Sequence, residues 1–384
     1  MKNAPLFKSF FDSEKAGGLV LLFCTAASLL LANSSISGAY LSMWHTPIGS
    51  QSVEYWINDG LMAIFFLLIG LELEREVYIG ELSKIKDAIL PLSGALGGML
   101  IPALFYFAFN FGTATQHGIG IPMATDIAFA IGILSLLGNK VPLSLKIFLT
   151  ALAVIDDLGA ILLIAVFYTK TIYFTNLLIS LSIFGFLLLM NRLKVTNFFV
   201  YLVGGVLMWY FMLNSGVHAT ITGVLLAFAI PFGDGSPGTI SYQIQHWLHK
   251  PVAFIILPLF ALSNTAIVIG KDLLHTITEN YSLGILFGLV LGKPIGILTF
   301  CYLAVQLKLT KLPKNLSWKK IAGVGMLGGI GFTMSIFVTL LAFEDNEIIN
   351  NSKFMILIAS LISGIIGFIW LSNVLKKKNN VALE

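Results

Sequence analysis

The chain has 384 residues, of which 57% are hydrophobic and only 11% are charged, and its formal net charge is +4. A soluble domain carries roughly a quarter charged residues to wet its surface, so this composition excludes an ordinary water-soluble protein. The basic residues are scattered over short loops without forming a face or stripe, which excludes a nucleic-acid-binding protein. Cys24 and Cys301 both lie in apolar runs, so neither a disulfide framework nor a thiolate metal site is expected.

Apolar runs long enough to cross a bilayer, roughly 17–25 residues each, recur along the whole chain. The first run follows a tail that contains Asp12 and Glu14, so we interpret it as a retained helix and not as a signal peptide. We predict an all-α integral membrane protein with about twelve transmembrane helices, forming a single domain over residues 1–384. The predicted spans lie near residues 17–33, 56–79, 88–110, 118–137, 143–168, 175–191, 198–213, 217–231, 251–269, 283–305, 321–343 and 353–375.

The loops between these spans alternate in charge. The even-numbered loops are basic, as at Lys84 and Arg192, whereas the odd-numbered loops carry little beyond Lys170 and Lys271. Because positive charge stays on the cytoplasmic side, we predict that both the N-terminus and the C-terminus are cytoplasmic. The same alternation supports an even number of spans.

The first external loop, residues 39–55, has Pro47 and Gly49 near its centre. A short polar turn of this kind predicts an external hairpin, and an irregular loop fits the same residues equally well.

Two adjacent aspartates, Asp156 and Asp157, lie near the middle of the fifth run. They cost about 6 kcal/mol of insertion free energy, which the apolar residues of this run roughly offset, so both must face protein or water. Adjacent helical residues point about 100° apart and can therefore border one cavity while contacting different neighbours. One carboxylate would suffice for helix packing. Two can bind a small hard cation or protons, and their repulsion disfavours an empty, doubly ionised state, so the pair predicts cation/proton exchange.

The fourth and eleventh runs are interrupted by helix-breaking residues. The fourth contains Gly118, Gly120 and Pro122 just before Thr125 and Asp126, and the eleventh is rich in glycine over residues 323–331. A freed backbone at membrane depth is tolerated only where it is buried or lines a cavity. Two broken helices in different halves of the chain indicate a transporter site built from inverted repeats.

The ends of broken helices carry partial charges that nearby side chains can offset. Asp126 is available for the positive N-terminal ends, and Lys293 in the tenth run is available for the negative C-terminal ends. Pro294 disfavours helical geometry at the residue before it, so we expect a local bend at Lys293. The surrounding sequence lacks the spacing and the Ser or Thr of a phosphate-binding loop.

A polar cluster ends the second run, where Glu72, Arg75 and Glu76 share one helical face. An ordinary polar helix end explains these residues as well as a functional site does. His246 and His249 precede the ninth run, and histidine titrates near neutral pH.

Together these motifs closely resemble the NhaA family of bacterial Na⁺/H⁺ antiporters over essentially the whole chain. The resemblance is carried, in this order, by residues 70–72, 124–128, 155–159, 292–294 and 329–333. It implies a secondary active transporter of the cell inner membrane that exchanges Na⁺ or Li⁺ for H⁺. It also implies that Asp156 and Asp157 carry the ion and the protons, with Asp126 and Lys293 compensating charge where the broken helices cross.

The resemblance further implies activation at alkaline pH and a homodimer formed through the external hairpin at residues 39–55. The residues that it assigns to the pH response are Glu72, Arg75, Glu76, His246 and His249. One position departs from the family pattern, because Gln245 stands where an acidic residue is usual. A pH response that depends on that carboxylate would be altered here.

Two versions of the exchange cycle remain open. In the first, Na⁺ binds Asp157 with assistance from Asp156 and Thr125, and both carboxylates return protonated, which predicts an electrogenic exchange of two H⁺ per Na⁺. In the second, Asp156 stays paired with Lys293 and the lysine carries one of the protons. Both versions are sensitive to membrane potential.

Two other functional classes fit the sequence less well. A passive cation channel needs an open pore without proton coupling, which the compact carboxylate pair disfavours. An intramembrane aspartyl protease needs a Gly-x-Gly-Asp segment, and a prenyltransferase needs a second Asp-rich loop; the sequence contains neither. We therefore predict a lipid-embedded transporter that is not an enzyme and uses no cofactor.

Overall fold

The computed structural model describes residues 4–168, 172–270, 273–313 and 315–380. Lys170 and Lys271, the basic residues of the odd-numbered loops, lie outside these ranges. Within the described ranges the chain forms eighteen α-helices and one two-stranded sheet. The all-α class predicted from the sequence is therefore confirmed.

The helices follow one another with short connections. The N-terminal half contains α1 (Ala4–Ala32), α2 (Ser37–His45), α3 (Val53–Tyr55), α4 (Met62–Tyr78), α5 (Ile85–Asn110), α6 (Ile127–Leu136), α7 (Leu143–Phe167), α8 (Phe174–Arg192) and α9 (Phe198–Leu213). The C-terminal half contains α10 (Ile221–Ala229), α11 (Ile240–Pro251), α12 (Leu257–Asn264), α13 (Leu273–Thr278), α14 (Asn280–Phe287), α15 (Lys293–Gln306), α16 (Trp318–Gly328), α17 (Phe332–Ala342) and α18 (Asn346–Asn380). Tighter 3-10 turns occupy Glu81–Ser83, Ala114–Met123 and Gly138–Lys140, and wider π turns occupy Trp56–Leu61, Val252–Ile256 and Gly288–Gly292.

Seven continuous helical segments of the described chain are long and apolar enough to cross a membrane, and three bent helix pairs would raise the number to ten. Two further apolar helices are shorter, with 16 residues in α9 and 9 in α10. Each of the twelve predicted runs contains a helix, but the number of twelve spans is not confirmed by length and composition. The seven segments are Val53–Tyr78, Ile85–Asn110, Leu143–Ala165, Phe174–Arg192, Ile240–Asn264, Asn280–Gln306 and Asn346–Lys376.

The two interrupted helices predicted from glycine and proline are confirmed. The 3-10 segment Ala114–Met123 joins α6 at a bend of 43°, and α16 joins α17 at a bend of 46°. The residues between the halves, 124–126 and 329–331, are the Ala-Thr-Asp and Gly-Ile-Gly segments. Both breaks are buried, as a freed backbone at this depth requires.

Two tyrosines from neighbouring helices brace the 3-10 half of the first broken helix. A 3-10 segment of 10 residues is unusually long, since runs beyond about four residues are uncommon. The Tyr106 hydroxyl donates to the Thr115 carbonyl at 2.8 Å, and the Tyr168 hydroxyl donates to the His117 carbonyl at 2.7 Å. These bonds satisfy carbonyl groups that an α-helix would have bonded internally.

Close contacts at glycine bring two helix pairs together. Gly97 of α5 lies against Gly296 of α15 so closely that a side chain on either would overlap the backbone of the other. On α4, a Cβ atom at Gly70 would lie 2.6 Å from the Cβ atom of Ala227 in α10. Small residues allow membrane helices to approach in this way. The first contact positions α15, which begins at Lys293, and the second leaves almost no space between α4 and α10.

The segment predicted as an external hairpin contains a short antiparallel sheet. Pro47–Ile48 pairs with Gln51–Ser52, and Gly49 in the turn has φ = +68°, a left-handed conformation that glycine adopts without strain. The segment is not a simple loop, because α2 covers its first part and α3 its last. The helix α2 turns away from α1 by 116° and so does not continue its span.

Candidate functional site

The two broken helices meet at their breaks. The first half of each packs beside the second half of the other, so the two chain segments cross in opposite directions. At the crossing the Asp126 amide donates to the Ile330 carbonyl at 2.7 Å, and the Ser335 hydroxyl donates to the Ile121 carbonyl at 2.7 Å. Backbone groups freed by one break are thus satisfied by the other helix.

Asp126 caps the N-termini of two helices at once. Its Oδ1 atom accepts a hydrogen bond from the Phe129 amide of α6 at 2.9 Å. Its Oδ2 atom accepts from the amide and the hydroxyl of Thr333 in α17, at 3.1 and 2.5 Å. Each helix N-terminus carries a partial positive charge, and a single buried carboxylate therefore lies against both.

A buried ion pair forms beside the crossing. The Lys293 ammonium lies 2.6 Å from Oδ2 of Asp156, and both side chains are fully buried. The same ammonium donates to the Thr125 hydroxyl at 2.8 Å. That hydroxyl lies 2.8 Å from Asp156 Oδ2 and 2.9 Å from the Gly328 carbonyl at the end of α16, and having one proton it donates to one of them at a time. Thr125 therefore links Lys293 to the C-terminal end of the broken helix.

The structure corrects the expectation of a bend centred on Lys293. This residue keeps helical dihedral angles, φ = −59° and ψ = −58°, and the irregularity lies just before it, in the π turn Gly288–Gly292. Pro294 has no amide hydrogen and cannot make the usual helical hydrogen bond, and the wider turn accommodates its absence. Contact between Gly97 and Gly296 then holds this start of α15 against α5.

Asp157 differs from its neighbour in having no hydrogen-bond partner. Its side chain is 1% exposed, and neither carboxylate oxygen has a partner among the described residues. Oδ1 of Asp156 is also without one in the described part of the chain. Buried carboxylate oxygens are normally hydrogen-bonded, so three orphaned oxygens at one place indicate a site that is completed by a proton or a cation.

A cavity connects Asp157 with the polar end of α4. Its volume is about 40 Å³. Its polar lining comes from Glu72, Asp126, Asp157, His249 and Thr333, and apolar residues of α4, α6 and the segment from Val252 to Leu257 complete the wall. The cavity thus lies between the aspartate and the helix end that carries the predicted pH-response residues.

Those predicted pH-response residues are only partly brought together. Nδ1 of His249 lies 4.0 Å from Oε1 of Glu72, and both line the cavity. Arg75 does not reach a histidine, because its guanidinium donates to Gln245 at 3.3 Å. His246 is exposed and lies outside the cavity lining. Glu76 is half-buried in the last turn of α4 and also lies outside that lining.

Two further residues of this region were not predicted from the sequence. Tyr242 stands under the guanidinium of Arg75, with 5.3 Å between the guanidinium carbon and the ring centroid, and it stacks on His246 at 6.1 Å. Its spacing of three and four residues from Gln245 and His246 was the available signal. Glu74, whose side chain is 3% exposed, lies on the face of α4 opposite Glu72. Glu74 lies four residues after Gly70, and this spacing placed both residues on the face of α4 that packs on α10.

No group of three or more His, Cys, Asp or Glu side chains in the described residues is arranged to hold a metal ion. A cation at this site would therefore be bound by the two aspartates together with other oxygen atoms. Such a sparse ligand set suits an ion that must also leave.

Comparison with known proteins places the whole chain in one family. The family model described as Na⁺/H⁺ antiporter 1 matches residues 8–371. A Na⁺/H⁺ antiporter NhaA of Flavobacterium psychrophilum is 68% identical over 376 residues, which cover 98% of each chain. The NhaA 1 antiporter of Flavobacterium johnsoniae is 63% identical over 380 residues, covering 99% of this chain and all of the relative. The NhaA antiporter of Cytophaga hutchinsonii is 58% identical over 377 residues, 98% of this chain and 97% of the relative.

Among solved structures, the sodium proton antiporter MjNhaP1 from Methanocaldococcus jannaschii is similar in fold. The TM-score is 0.50, and the match covers 98% of this chain and 97% of the other, with 15% sequence identity. At this identity the likeness concerns the fold alone.

Proposed function

Because the chain belongs to the NhaA family of Na⁺/H⁺ antiporters, we propose that it exports Na⁺ or Li⁺ in exchange for two protons in an electrogenic cycle activated at alkaline pH. Na⁺/H⁺ exchange by a multi-pass membrane protein follows from the family itself. The proposal adds Li⁺ as a second substrate, the proton number and the pH response. Such a transporter would serve sodium and pH homeostasis.

The observation that carries the proposal is the state of Asp157. This carboxylate is buried, lacks any hydrogen-bond partner in the described chain and lines a cavity. An isolated ionised carboxylate in such a place is costly, so Asp157 holds either a proton or a cation. Binding one requires release of the other, and this competition is the coupling between Na⁺ and H⁺.

The second proton is assigned to Lys293. In the proton-bound state Asp157 is neutral and Asp156 is paired with the Lys293 ammonium, as the distance of 2.6 Å indicates. Arrival of Na⁺ between the two aspartates weakens this pair, because Asp156 then shares its charge with the cation. Lys293 loses its proton, and one Na⁺ has replaced two H⁺. The ion pair supports this version over the one in which both aspartates carry protons.

We assign Thr125 to the cation site once Lys293 has lost its proton. The Thr125 hydroxyl accepts a hydrogen bond from the Lys293 ammonium and lies within hydrogen-bond distance of Asp156 Oδ2, so the lysine occupies one of its two lone pairs. Release of the lysine frees a lone pair of this oxygen for Na⁺. Whether Thr125 can bind Na⁺ therefore depends on the protonation state of Lys293.

Alternating access is assigned to the crossing of the broken helices. Hydrogen bonds hold the crossing, among them those that Asp126 accepts from the amide and hydroxyl of Thr333. Breaks in two antiparallel helices allow their halves to tilt while the ion site stays near the middle. We assign Asp126 and Lys293 to charge compensation at this point. We assign Glu72, Arg75, Glu76, His246 and His249 to the pH response, and of these Glu72 and His249 line the cavity.

The remaining assignments concern the surroundings of the protein. The basic even-numbered loops support cytoplasmic termini in a bacterial inner membrane. The sheet Pro47–Ile48 with Gln51–Ser52 has exposed edges, which supports pairing of two hairpins in a homodimer.

The test is collapse of a pH gradient in everted membrane vesicles on addition of Na⁺, Li⁺ or K⁺. We expect Na⁺ and Li⁺ to collapse the gradient and K⁺ not to, and we expect Asp157→Asn to abolish the response. A membrane potential should alter the rate, because two charges cross against one. An unaltered rate under a potential would contradict the electrogenic cycle. Sodium flux indifferent to the pH gradient would indicate a channel.

A further inference from the structure

Glu74 is a buried carboxyl group that the proposed exchange cycle does not use. Its side chain is 3% exposed, and Oε2 has no hydrogen-bond partner among the described residues. Glu72 lies two positions earlier on the same helix. Since helical residues turn by about 100° each, the two side chains point to nearly opposite faces of α4.

The face that carries Glu74 packs on α10 and the segment after it. Gly70, one turn before Glu74, lies against Val224 and Ala227, with 3.2 Å from a Cβ atom built on it to the Cα atom of Val224. Tyr78, one turn after, contacts Phe232 with 4.9 Å between ring centroids. Glu74 is therefore enclosed between two tight apolar contacts. An ionised carboxylate in this place is costly, because Oε2 has neither solvent contact nor a hydrogen-bond partner in the described chain.

Asp234, in the segment after α10, is exposed, and the other charged groups near α4 lie on other faces. Helix α10, Ile221–Ala229, contains no ionisable residue. Helix α11 meets α4 through Gln245 and His249, on the face of Arg75 and Glu72, and it also carries His246 and Lys250. Four other elements pack on α4. Helix α7 carries Lys146, Asp156 and Asp157, and the 3-10 turn Glu81–Ser83 is followed by Lys84. The π turn Trp56–Leu61 carries Asp59 at the opposite end of α4, and the π turn Val252–Ile256 has no ionisable residue.

We propose that Glu74 is a second proton-binding site, which holds α4 against α10 when it is protonated and releases that end of α4 when it ionises at alkaline pH. This inference rests on the proposed function, because it supplies a regulatory step for that exchange. The neutral acid fits the apolar contact, whereas the ionised group requires water or a cation. Either the helices separate or the side chain turns towards the cytoplasmic surface.

Movement of α4 would reach the ion pathway directly. The opposite side of the same helix contributes Phe65, Leu68, Ile69 and Glu72 to the wall of the cavity that contains Asp157. A shift at the Glu74 face therefore changes the mouth of the cavity without any change at the aspartates. The proton on Glu74 thus selects between two positions of α4, and the shape of the cavity changes with the position of the helix.

The first test measures protonation. Infrared difference spectra of the purified protein in liposomes, recorded between about pH 6.5 and about pH 9, should contain a protonated carboxyl band that disappears as the pH rises. Glu74→Gln should lower the intensity of this band, to which Asp157 also contributes, and Glu74→Leu, which is also neutral, should lower it by the same amount. Asp234→Asn, a change of equal charge in the exposed turn after α10, should leave it intact. A band identical in wild type and Glu74→Gln would overturn the proposal.

The second test measures opening of the cavity without relying on transport. In a chain with Cys24→Ser and Cys301→Ser, the substitution Ile69→Cys reports access of a membrane-impermeant maleimide in everted vesicles. Labelling at alkaline pH should be several-fold slower in Glu74→Gln than with Glu74 present, and equal at neutral pH. Equal labelling at both pH values would overturn the link to the cavity. If the wild type showed no Na⁺/H⁺ exchange, these two results would still decide the role of Glu74.

Discussion

The Lys293 ammonium and Oδ2 of Asp156 lie 2.6 Å apart, and both side chains are fully buried. Neither carboxylate oxygen of Asp157, the next residue, has a hydrogen-bond partner in the part of the chain that the structure describes. A buried charge left without its partner is strongly destabilising, whereas a neutral pair of similar size is often tolerated. The chemical difference between two adjacent aspartates therefore comes from one lysine that lies 137 positions further along the chain.

Removal of the lysine charge alone should destabilise the protein, and removal of both charges should restore it. We expect Lys293→Gln to lower the free energy of unfolding by about 3–5 kcal/mol, because Asp156 is then buried and unpaired. The double variant Lys293→Gln with Asp156→Asn should recover most of this loss. Thermal unfolding in detergent measures both. Additive losses in the double variant would argue against the pair.

The same double variant should change the proton number. If Lys293 carries the second proton, only Asp157 remains to exchange, and one H⁺ should cross for each Na⁺. Transport currents on a solid-supported membrane should then vanish while Na⁺ uptake continues. A persisting current would assign the second proton to another group.

Asp126 and Thr333 should be coupled energetically. Asp126→Asn places an amide where two donors of Thr333 now point. Because hydrogen-bonding groups are then left unsatisfied, we expect the free energy of unfolding to fall by about 1–3 kcal/mol. Thr333→Val removes one of those donors, so the double variant should lose less than the sum of the single losses. Ser42→Ala, at a hydroxyl in α2 far from the crossing, provides a control that should add independently.

The contact between Gly97 and Gly296 should tolerate no side chain. Gly296→Ala forces α15 away from α5 because the added methyl group meets the Gly97 backbone. We expect a stability loss of about 1–3 kcal/mol from overpacking together with reduced exchange, since Lys293 moves with α15. Gly185→Ala in α8 is the matched control, with nothing within 4 Å of the added atom. Equal behaviour of the two variants would show that the contact is not tight.

Tyr242 should contribute to the pH profile through its aromatic ring. The ring holds Arg75 by a cation–π contact of about 0.5–1 kcal/mol. Tyr242→Leu releases Arg75 and should make the cavity mouth easier to open, which lowers the pH of half-maximal activity by about half a unit for one coupled proton. Tyr242→Phe keeps the ring and should leave the profile unchanged. A shift in both variants would point to the hydroxyl group instead.

Several features of this protein were determined by local sequence alone. The lack of charge predicted a helical membrane protein, since membrane helices satisfy their own backbone groups. Glycine and Pro122 predicted the two broken helices because these residues act on the backbone where they stand. The pair Asp156 and Asp157 could be identified as a candidate ion site because charge at bilayer depth is costly wherever the chain folds.

Only the tertiary structure decided which partner each of these groups has. Helical geometry points Asp156 and Asp157 about 100° apart. The crossing of distant helices brings Lys293 and Thr125 to Asp156, and it places Asp157 at a cavity. The second helix capped by Asp126 comes from more than 200 positions away. Glu74 is similar in sequence context to Glu72, yet it is the one enclosed against α10. Periodicity assigns a direction to each side chain, and long-range packing determines what lies in that direction.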